Sequence, residues 1–302
     1  MECARRGVRS WVTAGPLCGA AFACGAVLAC GAVIACGALL ACGAAEPRLG
    51  LADGGGVFFP SDAGVPACRG NNDGIIARDE LVFVPGVSVR YRVNPPDTRV
   101  AVDVKGMVRA DGTHLWDFSD GAGDAVELGV TRAQDGWYAR DFADAQYASR
   151  LDPRAPLLGL YRAFDDRLEL LGVVGETEGQ GTRLKYDVPV PLLRFPLSVG
   201  RSWDASANVI DGRLENLPIA SRDRYQIAVD AVGELRLGIL TFPRAVRVRV
   251  ELVQSFPAGP GSRRIQYLWM TECYGEVARV TSKNGELDPE FREAVEYRRL
   301  SF

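Results

Sequence analysis

The chain has a single histidine, His114, among its 302 residues. One imidazole rules out any metal centre that needs two histidines. It also leaves His114 as the sole base for a Ser-His-Asp arrangement. No Gly-x-Ser-x-Gly elbow occurs, and there is neither a P-loop nor a dinucleotide fingerprint. Strong net charge is missing as well. The full chain carries −3, and Arg5, Arg6 and Arg9 sit at its very start, so the remainder is mildly acidic. That balance argues against nucleic acid as a partner and against a polybasic membrane patch. Cysteine is scarce beyond the N-terminal segment: of eight, only Cys68 and Cys273 follow Cys42. Charge is absent altogether from Trp11 to Ala45.

That uncharged stretch is a six-residue repeat in which small apolar residues lead to Cys-Gly, at Cys24, Cys30, Cys36 and Cys42. A basic start, an apolar core and a small-residue exit define a secretory signal. With Leu39-Leu40-Ala41-Cys42 at the exit, the segment resembles a bacterial lipoprotein signal. The resemblance implies a signal peptide over residues 1–41, cleavage before Cys42, and a diacylglycerol on the Cys42 thiol. Val33-Ile34-Ala35-Cys36 and Val27-Leu28-Ala29-Cys30 fit the same box, and usual core lengths favour Cys24 or Cys30. Cys42 is preferred because a cut there leaves no apolar repeat on the mature chain. An uncleaved membrane anchor is the alternative, since roughly 20 apolar residues suffice to cross a bilayer. Either way the arginines flank the inner side and the rest of the chain lies outside the cytoplasm. Gly43 after Cys42 implies, by the sorting rule of such proteins, the outer membrane or cell surface. The expected partners are therefore the membrane, through the N-terminal lipid, and an unknown protein or apolar ligand.

Residues 42–66 are rich in Gly, Ala, Pro and Asp and show no periodicity, as in a flexible tether. Cys68 and Cys273 are an even pair in an oxidising compartment, which reads as a disulfide. It closes a loop long enough to add about 5 kcal/mol on the chain-entropy account.

From Leu81 onward the pattern alternates with period two. Val87, Val89, Tyr91 and Val93 read as one strand, and Val100, Val102 and Val104 as another, separated by an Asn94–Asp97 turn. Strands are also expected near Leu115–Phe118, Val126–Thr131, Trp137–Asp141, Leu168–Val174 and Leu184–Val190. Tyr225, Ile227 and Val229 alternate with polar neighbours. So do Val246, Val248, Val250 and Leu252 with Arg247, Arg249 and Glu251, and Ile265, Tyr267 and Trp269 with Arg264 and Gln266. Val277–Ser282 and Val295–Leu300 complete the set. Turns are read at Asp211-Gly212, Pro257–Gly261 and Asn284-Gly285, and short helices at Arg78–Leu81 and Pro289–Ala294. The fold class is all-β, an antiparallel meander forming a curved sheet or a sandwich. The Leu151–Pro156 break divides it into an N-terminal module, 67–150, and a C-terminal domain, 151–302. In the latter, Phe195–Trp203, Tyr267-Leu268-Trp269 and Gly275–Ala278 resemble a layout of uncharacterised bacterial envelope proteins. The resemblance implies a curved antiparallel sheet able to hold a greasy ligand on its concave side.

Residues Cys68–Leu81 resemble an EF-hand calcium loop. With Gly74 at the turn, Asn71 and Asp73 supply side-chain oxygens, Ile75 a carbonyl, Ile76 the apolar anchor and Glu80 the closing carboxylate. Arg69 departs from that pattern, standing where the first Asp belongs, so any calcium site is weak. Asp117, Asp120, Asp124 and Glu127 form a second acidic group. Two of them could run acid–base hydrolysis if a cleft held them roughly 5–9 Å apart, while the same residue types favour turns. Trp203, Tyr267 and Trp269 are read as core or as the lining of an apolar pocket. Arg247 and Arg249 are read as a solvated, edge-protecting face. No catalytic residue and no tightly held cofactor is assigned. The leading expectation is a lipid-anchored, non-enzymatic binding or structural module. A carrier of an apolar ligand and a carboxylate hydrolase are the alternatives.

Overall fold

A computed structural model describes residues 68–301. The segment read as a signal peptide, Cys42 and the expected tether of residues 42–66 lie outside the described residues. The described part is all-β and almost wholly antiparallel, with fifteen strands in one sheet. They are β1 (Ser88–Val93), β2 (Val100–Ala101), β3 (Met107–Val108), β4 (His114–Asp117), β5 (Asp124–Arg132), β6 (Tyr147–Arg150), β7 (Leu157–Ala163) and β8 (Arg167–Gly175). They continue with β9 (Arg183–Arg194), β10 (Ser202–Leu214), β11 (Leu217–Leu237), β12 (Leu240–Ser255), β13 (Ser262–Thr271), β14 (Gly275–Ser282) and β15 (Glu293–Leu300).

The order β10-β9-β8-β7-β6-β5-β1-β15-β14-β13-β12-β11 returns to β10 through a β10–β11 pairing, so the sheet closes into a barrel of 12 strands. The expected meander is present, and its curvature runs to closure. Strands on either side of the Leu151–Pro156 break pair with each other, β6 with β7. Most connections are short hairpins, as antiparallel neighbours allow. The β10–β11 turn uses Glu215 and Asn216, both with positive φ, the backbone a two-residue hairpin requires. Asp211-Gly212, expected to be that turn, instead forms a bulge within β10.

Alternation decides what faces inward. Residues directly opposite on neighbouring strands share a face. Trp203 pairs with Ile227, Ile227 with Val250, Val229 with Val248, and Val248 with Leu268. These residues, with Leu168, Leu170, Tyr186, Val190, Leu193 and Tyr225, make the first core. A bulge between Val229 and Ala231 switches the face of β11, so Ala231, Leu235 and Leu237 enter a second core. There Trp116 and Phe118 pack edge-on against Trp269, with ring centroids 5.6 and 4.8 Å apart. Each such buried side chain stabilises by about 1.5–3 kcal/mol relative to exposure. β4 reaches this position by the one parallel pairing, beside Gly233 of β11. A Cβ at Gly233 would lie 2.0 Å from the His114 carbonyl oxygen, so only glycine permits that approach.

Three local expectations are corrected. Residues Trp137–Asp141 form turns rather than a strand. Phe142 N–H bonds the Tyr138 carbonyl, and Tyr138, Phe142 and Ala145 recur at helical spacing to fill a third core over β6–β8. Residues 289–290 are a turn and β15 begins at Glu293, so no helix spans Pro289–Ala294. The strand expected over Val100, Val102 and Val104 shrinks to Val100–Ala101, because Val104 leaves the ladder to enter the second core.

Candidate functional site

One mouth of the barrel is crossed by the segment 68–87. Cys68 is joined to Cys273 in the β13–β14 turn by a disulfide with Cα atoms 5.5 Å apart. Ile76 then bridges to Leu197 between β9 and β10. Phe83 packs edge-on against Tyr147 of β6 and Tyr161 of β7, and Gly86 N–H bonds the Val130 carbonyl of β5. Ile76 and Leu81 belong to the first core, so this segment is a lid whose apolar side chains hang into the barrel.

The calcium-like loop lies within this lid. Asn71 Oδ1 accepts the Asp73 N–H at 2.9 Å, and Asp73 Oδ1 accepts the Ile75 N–H at 2.7 Å. Asn71 Nδ2 donates to Asp73 Oδ2 at 3.0 Å. Gly74 takes φ +81° against Val232, as expected of the turn position. Ile75 is exposed and Ile76 fully buried. Glu80 points into the fold, where its Oε2 accepts the Ala77 N–H at 2.8 Å and caps the 3-10 turn Arg78–Glu80. Burial raises its carboxyl pKa, and the nearby Glu272 and Asp73 carboxylates raise it further. Asn71 and Asp73 therefore serve an Asx turn and Glu80 serves a cap. Among the described residues no three acidic, His or Cys side chains gather as metal ligands.

Beside the lid is an open groove of about 790 Å³. Tyr147, Phe164 and Phe195 give it aromatic surface, and Arg78, Asp79, Asp165 and Asp166 give it charge. Asp79, Asp165 and Asp166 are all exposed. Phe164 is held by guanidinium groups, with Arg167 4.1 Å and Arg162 5.0 Å from its ring centroid. Both arginines are in turn fixed by Glu169, at 2.7 and 2.8 Å. The groove thus presents a braced ring within a rim that is acidic on balance. Its volume falls in the range of small-ligand sites.

Further in, the barrel wall carries charge. Leu268 pairs with Arg279, and Arg279 with Arg298, which puts both guanidinium groups on the first-core side. Glu276 Oε1 accepts Arg279 Nε at 3.0 Å and Arg298 Nη1 at 3.2 Å. Glu296 Oε1 accepts Arg298 Nη2 at 2.6 Å, and Glu296 Oε2 accepts the Thr281 hydroxyl at 2.9 Å. The Leu151 carbonyl accepts from both arginines. Burial works against ionisation of Glu276, but Arg279 and Arg298 outweigh it and hold the carboxyl below its usual range. At another point of the wall, buried Asp223 accepts from Tyr186 O–H, Ser221 O–H and Gln254 Nε2 at 2.9, 3.0 and 3.2 Å. Burial pushes the Tyr186 and Tyr225 phenols up, so both remain donors. Of these residues only Tyr225 stood out in the sequence. Arg279, Glu296 and Arg298 lie in the polar phase of alternating strands, which an open sheet would turn to water, whereas Asp223 lies in the buried phase of β11 with Tyr225.

The other expected groups are dispersed. Asp117 accepts the Ser119 N–H, which lowers its pKa, and Glu127 bonds the Ser88 hydroxyl across β1–β5. Asp120 offers its backbone carbonyl to Arg299, and Asp124 opens β5. His114 stacks on Trp116 at 5.2 Å, and its Nδ1 lies 2.8 Å from the Lys105 carbonyl. Trp203 belongs to the first core, whereas Tyr267 and Trp269 belong to the second, so the three rings do not line one space. Arg247 is a correction: it is 8% exposed rather than solvated, and β12 is an inner strand. Its guanidinium lies over the Tyr267 and Trp116 rings at 4.8 and 5.5 Å and pairs with Asp230 at 2.8 Å. Arg249 is half-buried.

Fold and site together define a lidded, closed antiparallel β-barrel with an aromatic groove at one mouth. No protein-family model, curated protein or solved structure matches this chain.

Proposed function

We propose that this chain is an exported, lipid-anchored envelope protein that acts as a non-enzymatic binding module, with the mouth groove as its binding site. The observation that carries the binding reading is the groove beside the disulfide-pinned lid, with Phe164 braced between two arginines and three exposed aspartates at its rim. A half-buried ring bordered by Asp79 and Asp165, with Asp166 paired to Arg167 at 2.8 Å, suits a ligand that has an apolar body and a positive group. The anchoring reading rests on the leader and Cys42. The compartment it implies agrees with a Cys68–Cys273 disulfide. The outward face of β10 and β11 carries exposed Asp204, Arg222, Arg224 and Gln226. Lipid-facing barrel walls are apolar, so this wall suits water, and membrane attachment falls to the N-terminal lipid.

The test is photo-crosslinking in cells of the full chain, with a photoreactive residue at Phe164 or, as control, at exposed Gln226 on β11, outside the groove lining. A discrete adduct from position 164 and none from 226 is expected. Equal or absent adducts from both overturn the binding reading. Intact-mass analysis of the N-terminal peptide from membranes tests the anchor separately. Cytosolic protein that still carries Met1 would sink that part alone.

A further inference from the structure

A second pocket lies apart from the groove. It holds about 250 Å³, and its lining combines Arg92, Arg299, Ser119, Ser301 and Gly121 with Leu237, Ile239, Leu240 and Leu300. The only charged residues in this lining are the two arginines. Among the described residues neither makes an ion pair, whereas Arg298, one position before Arg299, pairs with Glu276 and Glu296. Arg299 is 6% exposed. Its Nη atoms donate to the carbonyls of Phe118, Asp120 and Gly121, yet its buried Nε has no hydrogen-bond partner. The guanidinium also lies over the Tyr297 ring, 4.9 Å from its centroid, so carbonyls and a ring face hold it and no carboxylate pairs with it, which leaves net positive charge at the pocket wall. Arg92 adds a second cation, tied only to the Gly123 carbonyl at 3.1 Å.

Of the apolar lining residues, Leu237, Ile239 and Leu240 belong to the β11–β12 hairpin, with Ile239 at its tip. Ile239 at that tip is 94% exposed, the most exposed large apolar side chain of the described residues. Gly238 beside it takes φ +73°, which allows the tight turn. A projecting isoleucine next to two unpaired arginines matches one kind of partner: an anion joined to an apolar chain. We propose that this pocket binds the head of an anionic phospholipid at a bilayer surface, with its phosphate on Arg92 and Arg299 and its first acyl carbons along Leu237, Leu240 and Ile239. Charge complementarity and the continuity of the apolar wall with an exposed tip carry the assignment. It is independent of the groove and of the N-terminal lipid.

The test uses the full chain in a neutral detergent, titrated with short-chain phosphatidylglycerol, short-chain phosphatidylcholine and inorganic phosphate, with binding read by calorimetry. Phosphatidylglycerol is expected to bind at least tenfold more tightly than either of the others. Arg92→Gln should lose about tenfold in that affinity, as one charge-assisted contact of 1.4 kcal/mol would give, and Ile239→Ser severalfold. Both positions are exposed, so the variants fold; Arg299 is left intact because it holds the 118–121 loop. Equal binding of the two lipids, equal binding of free phosphate, or wild-type affinity in both variants would each overturn the proposal. Loss of groove crosslinking would leave this result untouched.

Discussion

Replacing Arg298 with Met tests the buried network most directly. Arg298 has a side chain 4% exposed and bonds Glu276, Glu296 and the Leu151 carbonyl. In the wild type two arginines face two glutamates, so the wall is neutral. Arg298→Met keeps most of the volume but leaves Glu296 with only the Thr281 hydroxyl, and Glu276 with Arg279 alone. Removing one partner of a buried pair costs about 3–5 kcal/mol, because the other charge stays behind. For a domain of this size each kcal/mol moves Tm by about 2–4 °C, so a fall of roughly 6–20 °C is expected. Adding Glu296→Gln removes the orphaned charge while keeping an acceptor for Thr281. The double variant should therefore recover at least about 2 kcal/mol of that loss, within the coupling range of contacting residues. Urea and thermal unfolding followed by tryptophan fluorescence read both effects. A cost below about 1 kcal/mol for Arg298→Met, or strict additivity in the double variant, refutes the argument that these charges are buried and mutually dependent.

Glu276 sets the acid limit. Its native pKa lies below the ordinary value of 4.5, so its stabilisation is complete above about pH 4.5 and is lost as pH falls through the native value. Tm measured downward from pH 5 should drop in the wild type, and less steeply in Glu276→Gln. Glu80 has the opposite sign, since its raised pKa means that ionisation works against the fold as pH rises above 4.5. Glu80→Gln keeps an acceptor for Ala77 and should hold or raise Tm at neutral pH, and Tm in calcium and in chelator should then agree. A calcium-dependent rise in the wild type that Glu80→Gln abolishes would instead restore the calcium loop. Reducing Cys68–Cys273, or replacing both with Ser, opens a loop of 205 residues and should cost up to about 5 kcal/mol, seen as a lower urea midpoint under reductant. Arg247→Leu loses the Asp230 pair and the ring contacts and should cost about 2–4 kcal/mol, where an exposed arginine on a sheet face would cost almost nothing.

Alternation made the long strands legible. Tyr225, Ile227 and Val229 and Val246, Val248 and Val250 of β12 face the first core as read, and the Cys68–Cys273 pairing was legible because only two cysteines follow Cys42. Closure was not legible, because period two says that a strand has two faces without saying which curls inward. In β14 and β15 the polar phase faces the barrel, so Arg279, Glu296 and Arg298 passed as surface residues. Arg247 fails in the mirror sense: it does face outward, but the 94–123 excursion returns over it and seals it beneath Trp116. Residues Trp137–Asp141 mislead because their aromatics invite a strand, while Tyr138, Phe142 and Ala145 bury a helical face. The misses at the level of the barrel involve partners distant in sequence, as in β4 against β11 or Leu151 against Arg298. Local pattern carries no information about such partners.

The paired charges also bear on where a ligand can go. Twelve strands enclose more space than the eight whose side chains fill a barrel outright. This chain occupies that space with Trp203, Tyr161, Tyr186 and Tyr225, with Ile76 and Leu81 from the lid, and with a neutral Glu-Arg network that the Leu151 loop completes. A greasy ligand entering such a lumen would have to displace the lid and strip charge-assisted hydrogen bonds from Glu276 and Glu296, each worth about 1.5–3 kcal/mol. Nothing apolar could replace those bonds. Recognition at the rim carries no such cost: Phe164 and the aspartates of the groove already face solvent, and the disulfide holds the lid edge beside them. The energetics of the interior thus favour a barrel that serves as a rigid mount, in keeping with the proposal that binding falls to the groove at its mouth.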